Sequence, residues 1–462
     1  MRRKFATFSP FFLILALLLA ACGGASDNGG STGSNGSNGN NGVSQQGIAS
    51  GNHYINCPGS TNTTAADPEK DTVTLTVSGW TSTPAEDALV QKNLQSFEAS
   101  HPNIKLKWSP ITGDYPTKMR ANVASNNVAD VFYLQPSMSS SYISAGKLLN
   151  LSPYMAKGGV KAEDYYSALI NPFTCTSGQV YGLPKDWNSL GVFYNKKLFK
   201  DAGVTAPAAG WTWSDMQKDA QKLTKNAGQS NATYGITLPA DMSRWGAFLL
   251  ANGGSVLSKD GTKATFNNPA GVQALDYYNS FFKNKTGILP TTVGASYSGD
   301  AFGKERAAMV IEGGWLIPYL HSTYANTQYG IAPMPTSNSG KQANLTFTNA
   351  WAASASTKHA EASWELIKYM TGSTVQESQL NAGFALPALK SLANAPYFTS
   401  HPDVKVLFDA ASYSYADYYG PQDATIHTDL SNAIDAVVLN KQTSQAALDD
   451  AATRINSQLQ NG

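Results

Sequence analysis

The feature that most constrains this chain is the alternation of two hydrophobic periods that starts at residue 71. Residues 71–80 (DTVTLTVSGW) set Val73, Leu75 and Val77 between threonines, the two-residue period of a half-buried strand, and stop at a Gly-Trp turn. Residues 84–100 then carry Ala88, Leu89, Leu94 and Phe97 as a helix, with Glu86 and Asp87 in the first turn, where the helix dipole favours acids. Residues 104–108 read as a second strand. Another helical stretch leads to a buried third strand at 129–134 (ADVFYL). Strand, helix, strand, helix, strand predicts an α/β fold with parallel pairing and helices covering the sheet. Ligands in such open sheets sit beyond the carboxyl ends of the strands. Those ends are Trp80 with Thr81, the loop at Asp114 and Tyr115, and residues 135–137, which open with Gln135.

Further along, residues 181–204 form an apolar strand emerging from a polar stretch with Asp186, Trp187 and Asn188. Helices are predicted over 214–223, 243–251 and 268–283, the second stopped by Gly253-Gly254. The run 307–315 and the strand-like 329–334 follow, then helices at 360–369, 430–439 and 446–459. No fixed-period repeat is visible, and 462 residues suit two or three domains of ordinary size.

The chain starts MRRKFATFSPFFLILALLLAAC. Three basic residues precede an apolar run over 11–21 that is too short to span a hydrocarbon core needing about 20 residues, so residues 1–21 read as a signal peptide. Leu19-Ala20-Ala21-Cys22 resembles the lipobox of bacterial lipoproteins, which implies cleavage before Cys22, lipidation of its thiol and an extracytoplasmic, membrane-anchored location. From 23 to 42, 17 of 20 residues are Gly, Ser or Asn, a flexible linker that runs on to about residue 52. Removing Arg2, Arg3 and Lys4 from 33 basic residues leaves 30 against 32 acidic ones, a net charge of −2. Electrostatics then supply no membrane binding, which falls to the lipid, and no basic field exists to hold nucleic acid. With Cys22 acylated, Cys57 and Cys175 remain as an even pair in an oxidising compartment, and a disulfide between them is expected. The six histidines show no metal-ligand spacing, so no metal is expected, and no cofactor is implied.

Several segments together resemble the family 1 extracellular solute-binding proteins of bacterial ABC importers, the maltose-binding-protein-like branch among them. They are FEASHPNI at 97–104, YGLP at 181–184 with VFYNKKLF at 192–199, NGG at 252–254, AMVIEGGW at 308–315 and LNKQTSQAALDDAATRI at 439–455. The resemblance implies two lobes, each a mostly parallel sheet flanked by helices, closing by a hinge around a ligand. It places crossing segments near 185–189, 346–353 and 382–387. The N-terminal lobe becomes 53–187 plus 352–385, and the C-terminal lobe 188–351 plus 386–462. It also implies ABC permease subunits as partners and a monomeric chain.

Charged residues make up only 14% of the chain, while Tyr, Trp and Phe are abundant, a composition that suits neutral polar ligands. Carbohydrates present hydroxyl edges and apolar faces, so their sites combine aromatic platforms with planar donors and acceptors. Candidates at the strand ends are Trp80, Tyr115 and Gln135. Those at the first crossing are Asp186, Trp187 and Asn188. Arg244 and Trp245 open a helix in a region that contributes an aromatic contact in the resembling family. Glu312, Gly314 and Trp315 match the motif whose Trp stacks on sugar there. Asn349 and Trp351 lie on the second crossing, Phe384 on the third, and Tyr419 in an aromatic stretch near the end. A neutral mono- to oligosaccharide is expected. The alternative is an anionic derivative, a glycerol phosphodiester or uronic-acid sugar, for which Arg244 could meet one acidic group. A secreted carbohydrate-active enzyme is the alternative of another class, but no catalytic constellation is visible, and the chain is read as a binding protein.

Overall fold

The computed structural model describes residues 55–59, 62–82 and 84–461. The signal peptide, Cys22 and the linker lie outside the described residues. Three strands expected at the start are present as β1 (Val73–Ser78), β2 (Ile104–Trp108) and β3 (Val131–Leu134). β1 pairs in parallel with both β2 and β3, because each is reached through a crossover helix, the first of them Pro84–Ser100.

Two longer strands follow, β4 (Leu183–Asn195) and, after β5 (Tyr234–Thr237), β6 (Gly287–Ile288), β7 (Ala307–Gly313) and β8 (Tyr329–Ala332), the strand β9 (Asn344–Ala353); β10 (Ser414–Ala416) comes last. The strands run in the order β2-β1-β3-β9-β4-β7-β5-β6, with β10 on β9 and β8 on β4. Parallel pairs (β5 with β6 and β7, and β10 with β9) occur where helices intervene, and β4 and β9 pair antiparallel with each other and with β7, β8 and β3. The fold is therefore α/β with a mixed sheet, parallel away from the two long strands.

Two hydrophobic cores form on this frame. One gathers Leu75, Val77, Phe97, Phe132 and Trp364, and the other Met216, Ile236, Phe248, Leu275 and Leu448. β4 gives Leu183 and Trp187 to the first and Leu190 and Val192 to the second; β9 gives Trp351 to the first and Leu345 to the second. A third segment lies against them where Trp187 and Leu386 exchange backbone hydrogen bonds of 3.2 and 3.1 Å.

Local chemistry explains the helix limits. Thr212 and Asp215 form a capping box before the helix Trp213–Leu223, and the Asn268 side chain accepts from Gly271 N–H at the start of Pro269–Lys283. Gly253, at φ 82°, ends Met242–Ala251 in the left-handed conformation that glycine adopts without strain. One expectation needs correction: the helix predicted over 430–439 spans Asp423–Val438. Its first turns read DATIHTDL, a polar face whose sparse apolar residues hide the period, and the extra turns carry Asp423 and His427 to the site described below. Cys57 and Cys175 are joined as expected, 118 residues apart in sequence, tying the segment before β1 to the first core.

Candidate functional site

The carboxyl ends of β1 and β3 build one wall. Trp80 is half-buried and meets the rings of Tyr115 and Tyr133 edge-on at 5.3 and 4.6 Å. The Lys185 ammonium lies 4.8 Å from the Tyr133 centroid and 5.6 Å from that of Trp80, and it pairs with Asp186 in a buried salt bridge. Burial, then the charges of Asp186, Glu86 and Asp87, push the Tyr133 hydroxyl far up, so it stays protonated.

The facing wall comes from the end of β7 and the helix Met242–Ala251. Arg244 Nη2 is 2.5 Å from Glu312 Oε2, and the same oxygen accepts the Trp315 indole N–H at 2.8 Å. The Arg244 guanidinium lies 5.7 Å from the Trp315 centroid, and Phe347 of β9 meets that ring edge-on at 5.4 Å. These contacts fix the half-buried indole in one orientation.

Beside these two groups, where β3 and β10 leave residues 347–349 of one edge of β9 unpaired, lies a cavity of 290 Å³. Gln135, Pro136 and Ser137 line it from one side, Thr346 to Asn349 form its floor, and Asp417, Tyr418, Asp423 and His427 line the other side. Asp417 Oδ2 accepts from Ser243 Oγ at 2.8 Å, and His427 Nε2 lies 3.3 Å from Asp417 Oδ1 and 3.7 Å from Asp423 Oδ1. Burial raises the Asp423 carboxyl to about 6, helped by Asp417 and opposed by His427. Burial would lower His427, but the charge and hydrogen bond of Asp417, with Asp423 and Asp241 behind them, outweigh it and hold the imidazole near 9.

The expected residues divide into three groups. Gln135 and Asn349 line the cavity, Arg244, Glu312 and Trp315 form the second wall, and Trp80 and Asp186 belong to the first. Asn188, Gly314 and Phe384 meet instead at a narrow pocket of 20 Å³ beside β4, where Asn188 Oδ1 accepts the Gly314 N–H at 3.1 Å. Four aromatics are core rather than surface. Tyr115 is buried with its hydroxyl on the Tyr133 carbonyl at 2.7 Å. Trp187 donates to the Pro387 carbonyl at 2.8 Å and packs on Phe408. Trp351 packs 4.4 Å from Tyr133, and Trp245 is fully buried in the second core. Tyr419 is also buried, with its ring 5.6 Å from His427, and its neighbour Tyr418 reaches the cavity.

Asp417, Asp423 and His427 were not among the expected residues. A scan for metal spacing passes over them, although an acid and a histidine four apart on one helix face is a visible signal. A larger groove of 690 Å³, with the stacked rings of Tyr397 and His401, lies along the helices Leu316–Thr323 and Pro402–Asp409. It holds none of the expected site residues and no carboxyl end of a parallel strand, so the cavity along β9 is the candidate site.

A mixed sheet with two separate cores, joined by the long strands β4 and β9, and a polar cavity flanked by aromatic residues along β9 define a two-lobed α/β binding protein. Residues 79–377 match the bacterial extracellular solute-binding protein family, and the chain belongs to it. The chain is 24% identical over 291 residues to the galactooligosaccharide-binding protein of Bacillus subtilis (strain 168), covering 61% of this chain and 66% of that one. It is 26% identical over 282 residues to the maltooligosaccharide ABC transporter solute-binding lipoprotein of Streptococcus pneumoniae (strain ATCC BAA-255 / R6), covering 59% and 62%. Its fold is similar to that of an ABC substrate-binding protein of Listeria monocytogenes solved in complex with cycloalternan. That likeness has a TM-score of 0.75 at 24% identity, over 84% of this chain and 99% of the other. Among the described residues, no helix is long and apolar enough to cross a membrane.

Proposed function

We propose that this protein is the substrate-binding lipoprotein of an ABC importer, which captures a neutral saccharide between its lobes and delivers it unchanged to permease subunits. The pairing of the cations carries the neutral assignment. Lys185 faces Asp186, Arg244 faces Glu312 and His427 faces Asp417. A ligand phosphate or carboxylate would have to break one of these pairs, whereas hydroxyls can use lone pairs and protons that the pairs leave over. The fixed face of Trp315 supplies the apolar platform that sugar C–H groups require. The two named sequence relatives, which carry oligosaccharide names, support the same class.

In this reading the lobes are 53–187 plus 352–385 and 188–351 plus 386–462, and they close by bending at β4, β9 and residues 382–387. In this reading Cys22 carries the lipid and residues 22–52 join it to the body of the protein. A thermal-shift screen of the mature chain against neutral mono-, di- and oligosaccharides, with uronates and glycerol phosphodiesters alongside, tests the reading. A ligand that binds only the folded state raises Tm. Shifts confined to a neutral series are expected, and shifts confined to the anions would replace the neutral assignment.

A further inference from the structure

Asp417, Asp423 and His427 line the cavity as a charged cluster, and within it His427 lies nearest to Asp417. The Asp417 side chain is only 4% exposed, yet it lines the cavity together with Gln135. Its Oδ2 accepts from Ser243 Oγ, which orients the carboxylate, while Oδ1 is buried 3.3 Å from His427 Nε2 as an ion pair with no hydrogen bond of its own. His427, 25% exposed, directs Nε2 to Asp417, and as an imidazolium it has a second N–H at Nδ1 for a ligand oxygen.

We propose that Asp417 and His427 form an acceptor–donor clamp for two adjacent ligand hydroxyls, and that this clamp turns carboxylate-bearing sugars away from the cleft. The inference rests on the carbohydrate reading above and adds a selectivity determinant to it. One hydroxyl donates to Asp417, and its neighbour accepts from His427 Nδ1–H. The second role follows from the surrounding charge. His427 is faced by Asp423 from its own helix, by Asp417 from the segment after β10 and by Asp241 from the segment before Met242–Ala251, with the Tyr419 ring beside it. Asp417 and Asp423 flank the single imidazolium of His427, while Asp241 behind them is also faced by Arg244, so a ligand carboxylate seated at His427 meets two carboxyl groups against one cation. Ser243 is a positioning residue, because it acts only through Asp417.

Titration calorimetry on the mature chain tests the clamp, with neutral gluco- and galacto-oligosaccharides and their glucuronate and galacturonate counterparts as probes. Wild type is expected to prefer the neutral member of a pair. Asp417→Asn and His427→Gln should each weaken neutral binding at least about tenfold, and Asp417→Asn should narrow the neutral-to-uronate ratio by a similar factor. Neutral affinity in wild type should fall as pH rises from about 8 to about 10, and His427→Gln should abolish that fall. If Asp417→Asn does not fold, Ser243→Ala, which loosens the carboxylate without removing it, and the partly exposed His427→Gln carry the test. Neutral affinity, uronate ratio and pH profile all within twofold of wild type in the folded variants would overturn the clamp. A wild-type preference for uronates would overturn the selectivity and leave the carbohydrate reading standing. Binding of no saccharide at all would refute that reading, and the clamp with it.

Discussion

Gly314, just after β7, is tied to β4 through Asn188, and its substitution has a cost that can be worked through. Its buried N–H donates to Asn188 Oδ1 at 3.1 Å, and a Cβ on residue 314 would overlap that same oxygen. Leu407 on the other side is at an ordinary 3.5 Å. Gly314→Ala therefore moves the Asn188 amide, losing the hydrogen bond and leaving a buried N–H unpaired, about 1–3 kcal/mol. Crowding adds about 1–3 kcal/mol. Asn188→Ala alone loses the hydrogen bond without the crowding. In the double variant the obstructing amide is gone, so it should be about as stable as Asn188→Ala, giving a coupling equal to the full cost of Gly314→Ala, about 2–6 kcal/mol. Guanidinium denaturation followed by circular dichroism on the four proteins measures this, with equal slopes as the check that one transition is compared. Because Trp315 follows directly, Gly314→Ala should also weaken ligand binding. Additive single-variant costs would refute the reasoning, since they would mean that Asn188 and Gly314 do not meet.

Trp315→Ala removes the platform held by Glu312 and Phe347 and should weaken saccharide binding by about 2–4 kcal/mol, read by calorimetry; unchanged affinity would take the residue out of the site. Replacing both Cys57 and Cys175 by Ser frees a chain closure of 118 residues, for which the loop-entropy model gives up to about 5 kcal/mol, visible as a lower denaturation midpoint. Folding raises the His427 pKa from 6.5 to about 9, so its contribution is fully present below 6.5 and is lost as pH rises through 9. Stability should fall across that window by up to about 3 kcal/mol, and His427→Gln should flatten the slope. Asp423, raised from 3.8 to about 6, has the same sign in a lower window: stability falls as pH rises from about 4 to 6, and Asp423→Asn removes that component.

Where local periodicity decides, the sequence and the structure agree. The threonine-separated apolar residues of β1 and the helix at Pro84–Ser100 are set by side chains within a few positions of one another. Trp187, Trp245 and Trp351 show the limit. Their positions near crossings and helix starts suggested ligand platforms, but what covers a ring is supplied from far away in sequence: Pro387 and Phe408 over Trp187, Tyr133 over Trp351. The polar part of the cavity was hidden for the same reason. Asp417 is oriented by Ser243, 174 residues earlier, and the helix that presents His427 begins with turns too polar to reveal their period. Trp315 and its Glu312 partner, by contrast, lie within one short motif, and that part of the site was legible.

Equilibrium dialysis of the mature chain against the neutral saccharide that gives the largest thermal shift, followed by chemical identification of the recovered ligand, tests the central claim most directly. One saccharide retained per chain and recovered intact is the predicted result. No retention, or recovery of shortened products, would contradict a binding protein that captures a neutral sugar between its lobes.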